Sequence, residues 1–288
     1  MKPSVYFSRN ITPETVLVLY QQLGIELTGK VAIKVHSGEV GNQNFIRPEF
    51  WKPVISHVGG TVVECNTAYE GARNITRRHM STMRKHKWIP TYSVDILDAV
   101  GPDLVLDIPD GKVIQKNYVG KDITKFNSTL ILSHFKGHPM GGYGGALKQL
   151  SIGFASSFGK RYIHGAGDPD AFWTSDHDSF LEAMADAALC IHRMFEGKAA
   201  YINVMKNMSV DCDCCAKAED PCIADIGILI STDPVAIDQA CVDLVYVCND
   251  PGKAHLIERI ESRNGIHTIE AAADLGLGSR EYELITVD

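Results

Sequence analysis

Residues 128–156 read STLILSHFKGHPMGGYGGALKQLSIGFAS. The stretch has three parts. Ser128–Ser133 is a short apolar run of the kind that forms a buried strand. Residues 134–145 are crowded with glycine and cannot continue that strand. Gly145–Ser156 then reads as a helix. A strand passing through a tight loop into a helix is the repeating unit of α/β proteins. The same alternation continues outward on both sides. Upstream, the spacing predicts strands at Val5–Phe7, Val31–His36 (VAIKVH), Thr61–Cys65 and Leu104–Ile108. Helices fall between them at Pro13–Leu23, Pro48–His57 and Arg73–Lys87, and a polar hairpin covers Gly111–Val119. Thr12 is placed to cap the first helix and Gly24 to stop it. Downstream come a helix at Asp176–Phe195, strands at Ala199–Val204 and Ile226–Ile230, and a helix at Pro234–Val247 capped by Asp233. Two further helical segments and a strand at Tyr282–Val287 close the chain. The pattern predicts an α/β fold with a mainly parallel sheet and helices on both faces. Residues 1–288 read as a single unit. The turn-rich GAGDPD at 165–170 is the one place where it would divide into two α/β lobes.

The 288 residues suffice for a sizeable core. A net charge of −7 offers no basic excess for neutralising phosphates, so nucleic acid is not an expected partner. The basic run Arg73–Lys87 reads first as the solvated face of a helix, with a patch for an anionic substrate or partner as the alternative. No apolar window reaches membrane-spanning length and the first ten residues lack a signal-peptide core, so the expectation is a cytoplasmic protein without a membrane. A homodimer is a common state for such a chain. Of eight cysteines, four crowd into residues 212–222, which suits metal or redox chemistry better than a disulfide framework.

Ligands of parallel sheets bind at the carboxyl ends of strands, and two unusual loops follow strands here. The first is 134–148, with Gly137, Gly141, Gly142, Gly144 and Gly145. Such glycines let the backbone approach a ligand, and the N–H groups of the helix behind them favour an anion. The loop matches neither GxxxxGK[ST] nor GxGxxG. His134, His138 and Lys148 are its candidate catalytic residues; Gly141, Gly142, Gly144 and Gly145 would bind the cofactor. Lys34 and His36, at the end of VAIKVH, share that edge and join the cofactor-binding set. The plainer alternative is a tight turn with incidental histidines.

The second loop, DCDCCAKAEDPC at 211–222, offers Cys212, Cys214, Cys215 and Cys222 as metal ligands. Thiolates suit zinc, another transition metal or an iron–sulfur cluster. The spacing C-x-C-C-x6-C is neither that of a zinc ribbon nor that of a bacterial ferredoxin. A plain surface loop is the alternative. Cys65, Cys190, Cys241 and Cys248 read as small core residues. His164 with Asp168, and Asp176-His177-Asp178, are weaker metal candidates, since Asp/His-rich turns are usually solvated.

The segments KVHSGEVGNQNFIRPE (34–49), LSHFKGHPMGGYGGALKQLSIGFAS (132–156) and DIGILISTDPVAIDQACVDLV (225–245) resemble domain-of-unknown-function family 362. The resemblance implies an α/β fold and, in many members, an inserted ferredoxin-like module with two 4Fe-4S clusters. This chain has no cysteine between Cys65 and Cys190, so that module is absent. A more distant similarity joins His138 and GGYGGALK, ending at Lys148, to the nickel-pincer lactate racemases, in which such a lysine holds the cofactor. The combined expectation is a metal- or iron–sulfur-binding oxidoreductase with an anionic small-molecule site at the glycine loop. A pincer-type isomerase of a small hydroxy acid, and a non-enzymatic metal carrier or electron-transfer partner, are the alternatives.

Overall fold

The computed structural model describes residues 2–288. Twelve strands are present among them: β1 (Ser4–Ser8), β2 (Val31–Lys34), β3 (Thr61–Glu64), β4 (Val94–Ile96), β5 (Leu104–Asp107), β6 (Lys116–Val119), β7 (Ser128–His134), β8 (Lys136–His138), β9 (Gly142–Gly144), β10 (Ala199–Met205), β11 (Gly227–Ser231) and β12 (Glu283–Thr286). Eight of them form one sheet in the order β12-β1-β11-β10-β7-β2-β3-β4. The run β10-β7-β2-β3-β4 is parallel throughout, as is β12 beside β1. Only β11 runs against its neighbours. The reason lies in its connection. Parallel neighbours need a crossover, usually a helix, and residues 206–226 supply none.

Helices cover both faces. One face packs beneath Ala146–Ser151, His177–Met194 and Pro234–Val247, in a core that includes Phe154, Leu189 and Ile237. The other lies beneath Pro13–Gln22, Lys52–Val58 and Thr76–Lys85, around Leu19, Ile33, Trp51 and Met83. The caps follow their chemistry. Thr12 accepts a bond from the Thr15 amide, and Asp233 accepts from Val235 and Ala236. Strands from both sides of residues 165–170 enter the same sheet.

Two local expectations are corrected. Leu104–Asp107 does not join the main sheet; β5 pairs with β6 as a separate antiparallel hairpin. The helix expected over Gly145–Ser156 ends at Ser151, and a second begins at Ser157. Between them the Ser156 amide bonds the Tyr118 carbonyl and the Ser156 hydroxyl accepts from Gly159, capping the second helix. No helix among the described residues is long and apolar enough to cross a membrane.

Candidate active site: a cation-lined cavity with a soft-donor group

The parallel strands β2, β3, β7 and β10 deliver their carboxyl ends to one edge. Beyond that edge the chain folds the two unusual loops together. The glycine loop is no open coil: β8 and β9 pair as a small hairpin, Lys136 opposite Gly144 and His138 opposite Gly142. The cysteine loop passes directly over it. The Gly137 amide bonds the Ser209 carbonyl, and a Cβ on Gly137 would lie 2.3 Å from the Val210 carbonyl oxygen, so only glycine fits there. Asn42 clamps the cysteine loop from the other side, donating to the Cys215 carbonyl at 2.9 Å, while the Glu39 amide bonds the Asp213 carbonyl.

These loops enclose a cavity of about 320 Å³, an ordinary size for a small-molecule site. Five cations line it: Lys34, Arg73, Lys136, Lys148 and Lys160. Arg73 is matched by Glu39 at 3.2 Å and Glu64 at 3.6 Å, and Lys136 by Asp213 at 3.4 Å. Lys34, Lys148 and Lys160 have no carboxylate partner among the described residues. Lys34 donates to the Val35 carbonyl and to Gln149, and Lys160 to the Ala155 carbonyl. Lys148 donates to nothing in the described protein. Burial lowers the Lys34 amine to about 8. Burial also lowers Lys148, with Lys136 and Lys160 adding to the effect against the pull of Cys212 and Cys214.

Three histidines line the same space, and their tautomers follow from their partners. His138 Nδ1 accepts from the Met140 and Gly141 amides at 3.1 and 2.9 Å, and His36 Nδ1 accepts from Gly38 at 3.2 Å. With Nδ1 accepting, the neutral ring carries its hydrogen on Nε2. Both rings border the cavity with Cys212, whose thiol works against the lowering by burial. His164 is the opposite case. Its Nδ1 bonds the Lys160 carbonyl at 2.7 Å, which can only accept, so its Nε2 holds a free lone pair. Burial, followed by Lys148, lowers His138 and His164 to about 3, so both are neutral near pH 7.

Cys212, Cys214 and His138 each bring one ligand atom to within 4.8 Å of the others. Two thiols and an imidazole suit a thiophilic ion, and three protein ligands leave a fourth position open, as in catalytic zinc sites. The thiols lose protons on ligation, and His138 would have to surrender its Nε2 hydrogen as well. The cysteines are therefore the firmer donors.

The sequence-predicted residues divide. Lys34, His36, His138, Gly144, Gly145, Lys148, Cys212 and Cys214 all line the cavity. Gly141 lies in the hairpin turn and Gly142 opens β9, packed on Gly265. His134 lies outside, with Nδ1 bonded to Asp213 at 3.0 Å and Nε2 to the Lys206 carbonyl at 2.6 Å. Both partners accept, so both ring nitrogens act as donors. Burial alone would raise the Asp213 carboxyl; His134 and Lys136 instead hold it well below the usual range. Cys215 and Cys222 are half-buried and outside the soft-donor group, Cys222 facing the Met208 carbonyl.

The free helix N-terminus expected behind the glycines is already occupied. The Asp238 carboxylate accepts from the Ala146 and Leu147 amides at 2.7 and 2.9 Å, from Asn203 at 2.7 Å and from Tyr143 at 3.1 Å. Gly145 makes room for it, since a Cβ would sit 2.5 Å from the Asp238 oxygen. Three residues left out of the predicted site also line the cavity: Cys65, a core residue as read, Arg73, read first as part of a solvated helix face, and His164, a weaker metal candidate in a turn expected to be solvated.

A sequence model of one family matches residues 31–243, a stretch that contains every lining residue named above. The chain belongs to the family Domain of unknown function (DUF362). No curated protein matches it. Among solved structures, this DUF362 chain is similar to a protein from Thermotoga maritima at 12% identity and a TM-score of 0.45, covering 91% of this chain and 58% of that one. It is also similar to the lactate racemase apoprotein from Thermoanaerobacterium thermosaccharolyticum at 11% identity and a TM-score of 0.42, covering 69% of this chain and 50% of that one. The chain thus spans about half the length of either.

Proposed function

We propose that this DUF362 chain is a metal-dependent enzyme acting on a small anionic substrate inside the cation-lined cavity. The observation that carries the reading is the meeting of three carboxylate-free lysines and a soft-donor trio in one enclosed space. Lys34, Lys148 and Lys160 would hold the anion. His36, with its hydrogen on Nε2, would orient Cys212. The free Nε2 of His164 would accept a proton from substrate; a bound anion offsets Lys148 and strengthens that base. An ion held by Cys212, Cys214 and His138 would supply Lewis-acid polarisation of a substrate oxygen.

The narrower expectation, an oxidoreductase built on an iron–sulfur cluster, has less support. Such clusters usually take four protein thiolates, and Cys215 and Cys222 lie outside the group. A pincer-type isomerase is favoured by one observation, the unpartnered amine of Lys148. An intact mass above that of the bare chain would support it.

The test is amine labelling. Inorganic phosphate should protect Lys148 from acylation, read by peptide mass, while exposed Lys52 labels unchanged. Equal labelling of Lys148 with and without phosphate would sink the anion site.

A further inference from the structure

We infer that the substrate carries an aromatic group on its anionic head and that Phe172 and Trp173 receive it. The inference rests on the anion-cavity reading above and adds to it the other half of the ligand. Four rings run from the core to the cavity rim. Phe180, 1% exposed, stacks on His164 at 4.8 Å and 19°. His164 stacks on Phe172 at 4.7 Å and 24°, and Phe172 meets Trp173 edge-on at 4.4 Å. His164, Phe172 and Trp173 all border the cavity.

Trp173 is 74% exposed, against 2% for Trp51 and 0% for Trp88. A single exposed apolar side chain needs no explanation. This one is different in two respects. It continues an apolar wall of Pro139, Met140 and Ile152 along the same cavity that holds the lysines. It also sits on a turn held in place: Asp168 accepts from the Asp170 amide, Arg161 bonds the Pro169 carbonyl and Asp170, and Ser175 bonds the His164 carbonyl at 2.6 Å. A fixed aromatic platform beside a cationic floor is complementary to an amphipathic anion. The head needs two or more negative charges to satisfy the three lysines, and the tail needs a flat apolar face.

The experiment titrates the full chain with inorganic phosphate, methyl phosphate and phenyl phosphate by calorimetry, with tryptophan emission followed in parallel. Phenyl phosphate should bind about tenfold more tightly than methyl phosphate, the scale of one aromatic contact. It should shift the emission of the exposed Trp173 to the blue. In Trp173→Ala, an exposed site whose loss leaves the fold intact, the phenyl advantage should vanish while methyl phosphate binds as before. Trp173→Tyr should keep most of it. Equal binding of phenyl and methyl phosphate, or an advantage that survives in both Trp173→Ala and Phe172→Ala, overturns the inference and leaves the anion cavity standing. Failure of all three probes to bind overturns both.

Discussion

Asp238→Asn isolates the contact that holds the glycine loop. One carboxylate oxygen of Asp238 takes the Ala146 amide and the Asn203 side chain; the other takes the Leu147 amide and the Tyr143 hydroxyl. All four donors are buried, and Asp238 is fully enclosed. An asparagine has one oxygen and one NH₂ group. Turned so that the NH₂ replaces the first oxygen, it strands the Ala146 amide, while the Asn203 side chain can flip to present its unpartnered oxygen. Turned the other way, it strands the Leu147 amide, and the Tyr143 hydroxyl can rotate to accept. Either orientation leaves one orphaned amide, at about 1–3 kcal/mol. The surviving bonds also lose their charge assistance, so the whole change comes to roughly 2–4 kcal/mol. Asp238→Ala removes every acceptor and should cost more. Urea unfolding followed by circular dichroism reads the difference as a lower midpoint at unchanged slope. A change within about 0.5 kcal/mol, the range of an ordinary surface substitution, would refute the reasoning. It would mean that the carboxylate does not anchor the loop.

Other outcomes follow from the same geometry. Gly145→Ala pushes a methyl against the Asp238 oxygen and should lower both stability and phosphate affinity, measured by urea unfolding and calorimetry; an unchanged protein would contradict the close approach. Lys148→Met removes an unpartnered cation from the cavity, so thermal stability should rise while phosphate affinity drops about tenfold, the usual trade at a binding site. His164 has its ordinary value of 6.5 lowered to about 3, chiefly by burial, so its stabilising contribution is complete above pH 6.5 and is lost as pH falls toward 3. That loss runs at up to about 1.4 kcal/mol per pH unit, and His164→Phe, which keeps the ring stack, should flatten the stability profile between pH 6.5 and 4 by about one proton.

Much of this was legible because it rests on local chemistry. The apolar runs, the caps at Thr12 and Asp233, and the strand-end positions of Lys34, His36 and His138 need only the chain near them. What escaped was set by contacts distant in sequence. Asp238 stands in the apolar helix PVAIDQACV, and a lone carboxylate there was a signal that a partner would come; nothing local said the partner was the helix starting at Ala146. His164 looked like a solvated turn because its ring stack with Phe172 and Phe180 spans sixteen residues. Arg73 sits in a basic run whose other members are mostly exposed, and only its pairs with Glu39 and Glu64 draw it inside. The break after Ser151 could have been read from Ser156 and Gly159, a serine cap three residues ahead of its amide donor.

Elemental analysis of the protein purified without oxygen tests the central claim most directly. The account predicts about one equivalent of a thiophilic transition metal, no acid-labile sulfide, and loss of that metal in the Cys212→Ser, Cys214→Ser double variant. Metal retained in full by the double variant, or a wild-type chain that holds none when supplied with zinc, would contradict it.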